Sequence, residues 1–225
     1  MAVTLSSRTE AKSEANVEAT PTVLIIDDDP KVLDSIGRLL KSVGLDTQLF
    51  ASVPDFLKSK RPNGPTCLVL DIRLPGQSGL DFQRELAAAG NQLPIIFITG
   101  HGDIPMSVQA MKGGAIEFLP KPFREQDLLD AIRLGLNRDR VRREAEETLR
   151  ALKQRFEMLS HREREIMSEI VRGRLSKQIA GDIGVSESTV KVHRSNLMRK
   201  MGVRSLAELA RIADKLKLAQ EQKSS

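Results

Sequence analysis

Residues 22–30 read TVLIIDDDP, a short apolar run that gives way to three consecutive aspartates and a proline. A run of this kind, closed by polar residues, is typical of a strand buried on both faces of a parallel sheet. Four further apolar segments follow at intervals of roughly 25 residues. The five predicted strands are Val23–Ile26, Leu45–Phe50, Cys67–Leu70, Pro94–Thr99 and Ile116–Leu119.

Segments with helical periodicity separate these strands. The first has apolar residues at helical spacing from Val32 to Val43, and Asp29 before Pro30 is predicted to cap it. The other predicted helices lie near 53–60, 79–89, 104–113 and 125–137. Alternating strands and helices predict an α/β fold, a doubly wound five-stranded parallel sheet, over residues 22–138. Ligands of such a sheet bind where the strands end, so the residues at the strand ends should converge.

Acidic and basic side chains stand at these strand ends. Asp27 and Asp28 follow the first strand, Asp71 follows the third, Thr99 ends the fourth and Lys121 follows the fifth. Carboxylates packed closely need a cation, and an all-oxygen site with few ligands suits Mg²⁺. A nucleophilic aspartate, a metal, a hydroxyl and an ammonium group are together what phosphoryl transfer to a carboxylate requires.

The segments outside the predicted sheet differ in composition. Residues 1–21 are polar and aperiodic, which predicts a disordered arm. Residues 139–155 are rich in Arg and Glu and free of Gly and Pro, which predicts a helical linker. Apolar residues from Ala145 to Leu159 follow the spacing of a coiled-coil seam over about two heptads, so self-pairing and a plain linker both stay open.

Residues 156–225 are predicted to form a small all-α domain. Ser176 to Met201 gives a short helix, a turn at Gly184 and a longer helix that Ser186 caps, which is the arrangement of a helix-turn-helix. Ser176 is the predicted cap of the short helix. Residues 138–225 carry 21 basic and 13 acidic side chains, whereas residues 22–137 carry 12 and 14. This basic excess favours nucleic acid as the partner of the second half.

The composition excludes several classes of protein. The single cysteine, Cys67, excludes a disulfide framework and a CxxC metal site. The chain has no apolar run of membrane-spanning length and no signal pattern at its N-terminus, so we expect a cytoplasmic protein with no membrane partner. The absence of Trp and Tyr argues against aromatic stacking on single-stranded nucleic acid.

The stretch FITGHGD at residues 97–103 resembles the FixJ-type receiver domains of two-component systems, and the strand-end residues above occur in the order of that family. The resemblance covers residues 22–138 and implies a CheY-like receiver fold. It implies that a sensor histidine kinase phosphorylates Asp71 and that Asp27 and Asp28 form the acidic pair. It also implies that Mg²⁺ or Mn²⁺ is held by Asp27, Asp28, Asp71 and the backbone carbonyl of Arg73.

The same resemblance implies roles for the other residues of the site. Thr99 would coordinate the phosphoryl group, Lys121 would pair with it, and Phe118 takes the place of the switch aromatic. Arg73 and His101 occupy positions that tune dephosphorylation in this family. The bond between Lys121 and its following proline is typically cis in receivers, in keeping with the general restriction of cis peptides to proline.

The segments LSHRERE at 159–165 and SESTVKVH at 186–193 resemble the LuxR/NarL-type DNA-binding domain, over about residues 155–220. The resemblance implies that residues 187–201 form the recognition helix on double-stranded promoter DNA. Lys191, Val192 and Ser195 would lie nearest the base edges. The other candidate contacts of this helix are Ser188, Thr189, His193, Arg194, Arg199 and Lys200.

Together the resemblances imply a response regulator. Phosphorylation of Asp71 would promote a homodimer through the surface of helix 4, strand 5 and helix 5. The dimer would bind promoter DNA and act on RNA polymerase as an activator. Such a protein is not an enzyme beyond catalysing its own phosphorylation and dephosphorylation.

Two other functions are weighed against this one. A phosphatase of the haloacid dehalogenase type would need a second acid two residues after the nucleophile, where this chain has Arg73. A DNA-binding protein whose receiver is only a dimerisation scaffold is the other alternative.

Overall fold

The computed structural model describes residues 20–100 and 103–221, and side chains are described up to residue 216. The predicted arm lies outside the described residues except for Thr20 and Pro21, and His101 also lies outside them. The chain divides into two compact units, with the division after Arg143. Within the described part of the chain, no helix is both long and apolar enough to span a membrane.

Five parallel strands form the sheet of the first unit, in the spatial order β2-β1-β3-β4-β5. They are β1 (Thr22–Ile26), β2 (Asp46–Phe50), β3 (Thr66–Asp71), β4 (Ile95–Thr99) and β5 (Glu117–Pro120). Every strand agrees with its predicted bounds to within one residue, so the prediction from apolar runs is confirmed. Arg73–Leu74 and Gln77–Ser78 add a small antiparallel hairpin directly after β3.

Helices cover both faces of this sheet, which confirms the doubly wound prediction. On one face lie α1 (Pro30–Ser42) and the first part of α5 (Glu125–Glu157). On the other lie α2 (Val53–Lys58), α3 (Gly79–Ala88) and α4 (Ile104–Lys112). The Asp29 carboxylate accepts the N–H of Lys31 at 2.8 Å and so caps α1 as predicted.

Helix α5 continues without a break for 33 residues, where the sequence predicts a helix to residue 137 and a separate helical linker after it. Asp139, inside that predicted linker, is fully buried in the first unit. Its carboxylate accepts the backbone N–H of Thr66 at 2.9 Å and ion pairs with Arg142 and Arg143. The buried acid therefore fixes α5 against the first residue of β3.

The second unit is all helical, with its own apolar core. After the end of α5 its helices are α6 (His161–Val171), α7 (Ser176–Ile183), α8 (Glu187–Met201) and α9 (Leu206–Glu221). Leu152 and Leu159 of the heptad pattern are buried in this core, and Leu149 and Phe156 pack against it. These four residues of the predicted coiled-coil seam therefore pack inside the second unit. They are not available to pair with the same helix of another chain.

Helix caps explain where these helices begin. The Ser160 hydroxyl accepts the N–H of Glu163, and the Glu163 carboxylate accepts the N–H of Ser160, so the α6 capping box forms. Ser186 caps α8 by accepting the N–H of Thr189 at 3.1 Å. The prediction that Ser176 caps α7 is wrong, because Ser176 is the first residue of the helix and Leu175 occupies the cap position. The Gln178 side chain accepts the N–H of Leu175.

Candidate functional site

The carboxyl ends of β1, β3 and β5 bring two aspartates and a lysine together. Lys121 Nζ donates to Asp27 Oδ2 at 2.6 Å and to Asp71 Oδ2 at 2.8 Å. Asp27 is fully buried and Asp71 almost so. The bond between Lys121 and Pro122 is cis. One ammonium group therefore bridges two acids that lie on different strands, as expected for neighbouring strand ends.

Backbone donors complete the hydrogen bonding of both acids. Asp27 Oδ1 accepts the N–H of Asp29 at 2.9 Å, and Asp71 Oδ1 accepts the N–H of Arg73 at 3.0 Å. Burial raises the pKa of Asp27, while Lys121 and the N–H of Asp29 act in the opposite direction. Burial alone would lower the pKa of Lys121, but its hydrogen bonds to the two carboxylates raise it overall. Lys121 is therefore held as a cation.

A third carboxylate joins this pair at the surface. Asp28 is exposed, and one oxygen each of Asp27, Asp28 and Asp71 lie within 4.8 Å of one another. Carboxylate oxygens are the ligands that Mg²⁺ prefers, and Mg²⁺ uses one or two of them together with water and phosphoryl oxygens. The donor set and its partial exposure fit a small divalent cation.

Thr99 and Phe118 lie on β4 and β5, the two strands at one side of the sheet. Thr99 ends β4 and is fully buried, and its carbonyl accepts the N–H of Lys121 at 2.7 Å. Phe118 lies on β5 opposite Phe97 of β4, half-buried against the core that α4 also lines. The structure thus brings the predicted site residues Asp27, Asp28, Asp71, Thr99 and Lys121 to one edge of the sheet.

Gly79 shapes the chain next to Asp71 in a way that the sequence does not reveal. A Cβ at this position would lie 2.5 Å from the backbone oxygen of Asp71 and 3.1 Å from Ile72 Cα. Its N–H donates to the carbonyl of Ile72 at 2.9 Å. Glycine is therefore required for the loop to fold back on the strand end, and a side chain would displace the backbone that carries Asp71.

In the second unit, α7 and α8 form the predicted helix-turn-helix around Gly184, which has a φ of +69°. Ile179 of α7 and Val190 and Leu197 of α8 are buried and hold the two helices together. One face of α8 is left exposed along four turns. Its exposed residues, spaced for a single helix face, are Glu187, Ser188, Lys191, Val192, Ser195 and Arg199, and Lys191 Nζ pairs with the Glu187 carboxylate at 2.8 Å.

The remaining candidate DNA contacts lie beside this exposed face. Thr189, His193 and Arg194 are half-buried. Lys200 differs from the others because its Nζ is 2.7 Å from the carboxylate of Glu163, which is buried. Burial opposes ionisation of Glu163, but Lys200 and Ser160 hold its pKa below its ordinary value. The charge of Lys200 therefore serves to join α8 to α6.

This geometry predicts that two basic residues of α8 differ in their contribution to stability. Changing Lys200 to alanine should lower the free energy of unfolding by about 2 kcal/mol, because it leaves a buried carboxylate without its charged partner. Arg194→Ala, the matched control, should change that free energy by no more than about 0.5 kcal/mol. Urea denaturation of the full chain measures both, and equal losses of stability would contradict the role given to Lys200.

The chain combines a doubly wound α/β unit that carries an acidic site at its strand ends with a helical unit that contains a helix-turn-helix. Comparison with protein families agrees: residues 23–133 match the response regulator receiver domain and residues 157–213 match the bacterial regulatory proteins of the luxR family. The chain belongs to the two-component response regulators that carry a LuxR-type DNA-binding domain.

Several relatives support this membership over most of the chain. Nodulation protein W of Bradyrhizobium diazoefficiens is 50% identical over 91% of this chain and 89% of its own length. The transcriptional regulatory protein FixJ of Azorhizobium caulinodans is 42% identical over 85% of this chain and 90% of its own. The solved structure of response regulator StyR is 51% identical, with a TM-score of 0.80 over 88% of this chain and all of that one.

Proposed function

We propose that Asp71 accepts a phosphoryl group from a sensor histidine kinase and that this modification switches a transcriptional regulator. The supporting observation is the contact of Lys121 Nζ with both Asp27 and Asp71 at the edge of the sheet. An oxygen of Asp71 attacks phosphorus, the bond from phosphorus to the kinase imidazole nitrogen breaks, and an aspartyl phosphate forms. Lys121 is placed to pair with the added negative charge.

The acids beside Asp71 would hold the metal ion of this reaction. Asp27, Asp28, Asp71 and the carbonyl of Arg73 would bind Mg²⁺ or Mn²⁺, which supplies positive charge for the phosphoryl oxygens. The receiver's catalysis of its own phosphorylation and dephosphorylation is part of the proposal, with no other substrate. The site is open to solvent at the exposed Asp28 and at the partly exposed Lys121, which suits the approach of both a kinase and a hydrolytic water.

The proposed switch runs from Thr99 to Phe118 and on to a dimer surface. Thr99 would hydrogen-bond a phosphoryl oxygen, and Phe118 would then repack on the core beside α4. Helix α4 carries an exposed apolar row, Ile104, Val108 and Met111, of which Ile104 is 78% exposed. Apolar side chains at this spacing give α4 a face that a second copy can bury together with β5 and the start of α5.

The exposed face of α8 would enter the major groove of promoter DNA. Lys191, Val192 and Ser195 stand at its centre, and Val192 is 60% exposed although apolar, which suits contact with a thymine methyl group. A dimer would place two such helices on paired half-sites. We further propose that the bound dimer contacts RNA polymerase as an activator and, because its target is the bacterial chromosome, that it works in the cytoplasm.

The proposal is tested by treating the full chain with acetyl phosphate and Mg²⁺. Sedimentation should show a shift from monomer to dimer, and binding to duplexes selected from a random pool should tighten. A chelator should prevent both changes. If phosphoryl incorporation occurs without either change, the switch proposed for Thr99 and Phe118 is wrong.

Arg194 provides a prediction about how the DNA is held. Arg194→Ala should weaken binding to all duplexes by a similar factor and reduce the slope of log K against log salt by about 1, because one phosphate contact is lost. Affinity at several salt concentrations, measured on a selected and an unselected duplex, gives both quantities. An unchanged salt slope would show that Arg194 does not contact a phosphate.

A further inference from the structure

The second unit has a groove on a surface that the recognition helix does not use. Its volume is about 420 Å³, and it is lined by the end of α5, by α6 and by α9. The apolar side chains of the groove are Phe156, Met167, Val171, Ala213 and Leu216. Met167, Ala213 and Leu216 also belong to the buried core of the unit, so the floor is fixed by folding.

The groove follows two turns of α6. Its lining residues on that helix occupy positions i, i+3, i+4, i+7 and i+8, and they are Arg164, Met167, Ser168, Val171 and Arg172. Eight residues of helix extend about 12 Å at 1.5 Å each, which is the length over which a bound helix presents anchors at i, i+3, i+4 and i+7. The shape therefore favours a helix laid along α6 over a compact ligand.

The rim of the groove is basic. Lys153 and Arg164 both line it, and no carboxylate pairs with either among the side chains described up to residue 216. The Arg164 guanidinium lies 5.3 Å from the centre of the Phe156 ring and donates to the carbonyl of Glu157 at 2.9 Å. Arg172 adds a third cation, paired with Glu169, and Glu157 is the one acid on the rim as described.

We propose that this groove binds an amphipathic helix of a partner protein whose flanks are acidic. The partner's apolar side chains would cover Phe156, Met167 and Val171, and its carboxylates would pair with Lys153 and Arg164. Two segments of this chain, α4 and residues 217–225, lack the acidic residues that such a helix needs. The exposed apolar row of α4 has no acidic residue within Ile104–Lys112, and residues 217–225 carry two lysines and one glutamate.

The test uses the full chain and a labelled synthetic helix with leucines at i, i+3, i+4 and i+7 and glutamates on both flanks. A second peptide carries lysines in place of every glutamate. Fluorescence anisotropy should show saturable binding of the acidic peptide, with the basic peptide at least about tenfold weaker. Arg164→Glu should weaken the acidic peptide by roughly tenfold. Arg150→Glu makes the same charge change at an exposed position of α5 outside the groove, and should leave the Kd within about twofold.

Several outcomes would overturn the proposal. No saturable binding up to about 1 mM peptide would do so, and so would equal affinity for the two peptides. Val171→Asp places a charge on the floor of the groove and must also abolish binding. If instead Val171→Asp dissolves a dimer that the untreated chain forms in sedimentation, a second copy covers the groove and the proposed partner is wrong. Loss of phosphorylation at Asp71 would leave all of these results unchanged.

Discussion

Replacing Asp71 by asparagine should remove phosphoryl incorporation from acetyl phosphate to below about 1% of the wild-type level, because the amide lacks the nucleophilic oxygen anion. Asparagine is close to aspartate in size, and its oxygen can still accept the N–H of Arg73 that Asp71 accepts at 3.0 Å. Lys121 keeps its contact with Asp27. The variant should therefore fold as the wild type does and lose its ability to accept a phosphoryl group.

The stability of this variant is part of the prediction. Asp27 and Asp71 share one ammonium group, and the negative charge of Asp71 is among the causes that raise the pKa of Asp27. Removing that charge should leave the free energy of unfolding unchanged or higher by about 1 kcal/mol. A large loss of stability would show that Asp71 is held mainly for folding, and the absence of labelling would then say nothing about its chemistry.

The control is Asp130→Asn, which removes an exposed acid of α5 that pairs with Arg133 and Gln126 on the surface. Its labelling should match the wild type within about twofold. The Asp71→Asn chain should bind DNA at the untreated level and fail to respond to acetyl phosphate. If it binds as tightly as the phosphorylated wild type, the receiver is a dimerisation scaffold, the alternative weighed from the sequence.

The sequence predicts the sheet and its acidic edge well because both depend on local patterns. A short run of consecutive apolar residues is typical of a strand buried on both faces of a sheet, and the polar residue after it marks the end of the strand. Asp27, Asp71, Thr99 and Lys121 could therefore be placed at the strand ends before their contacts were known. The same reasoning places α7 and α8, since Gly184 and Ser186 mark a turn and a cap in the residues themselves.

The features that sequence reasoning missed depend on contacts between distant residues. Asp139 lies in a charged, helical stretch, and its burial follows from the N–H of Thr66, 73 residues earlier in the chain. Lys200 is a basic residue on the predicted recognition helix, so the sequence predicts a DNA contact. The structure shows instead that Lys200 forms an ion pair with Glu163. Gly79 looks like an ordinary helix start until the Asp71 carbonyl is found 2.5 Å from where a Cβ would be.

Changing Lys121 to methionine should lower the free energy of unfolding by about 3 kcal/mol near neutral pH in the absence of divalent cations. Methionine keeps the apolar stem but removes the ammonium that contacts Asp27 at 2.6 Å and Asp71 at 2.8 Å. Among the described residues, the fully buried Asp27 then keeps the N–H of Asp29 as its single hydrogen-bond donor. Breaking a buried ion pair on one side costs more than the pair itself contributes, because the remaining charge is left in a poor solvent.

The pH dependence of the Lys121→Met chain has a definite sign. Burial already raises the pKa of Asp27, and the variant loses two influences of Lys121, a hydrogen bond and an opposite charge, that lower it. A carboxylate whose pKa is higher in the folded state binds more protons there than in the unfolded state, so stability falls as pH rises through the folded pKa. The loss relative to wild type should therefore be larger at about pH 7.5 than at about pH 5.

Urea denaturation at both pH values measures this difference, with Lys112→Met as the control because Lys112 is exposed at the end of α4. Adding Mg²⁺ should recover more stability in the Lys121→Met chain than in the wild type, since a cation that binds only the folded acids stabilises the state in which they converge. Equal stability of the Lys121→Met chain and the wild type at both pH values would mean that Lys121 does not neutralise this pair. The charge balance at the edge of the sheet would then have to come from elsewhere.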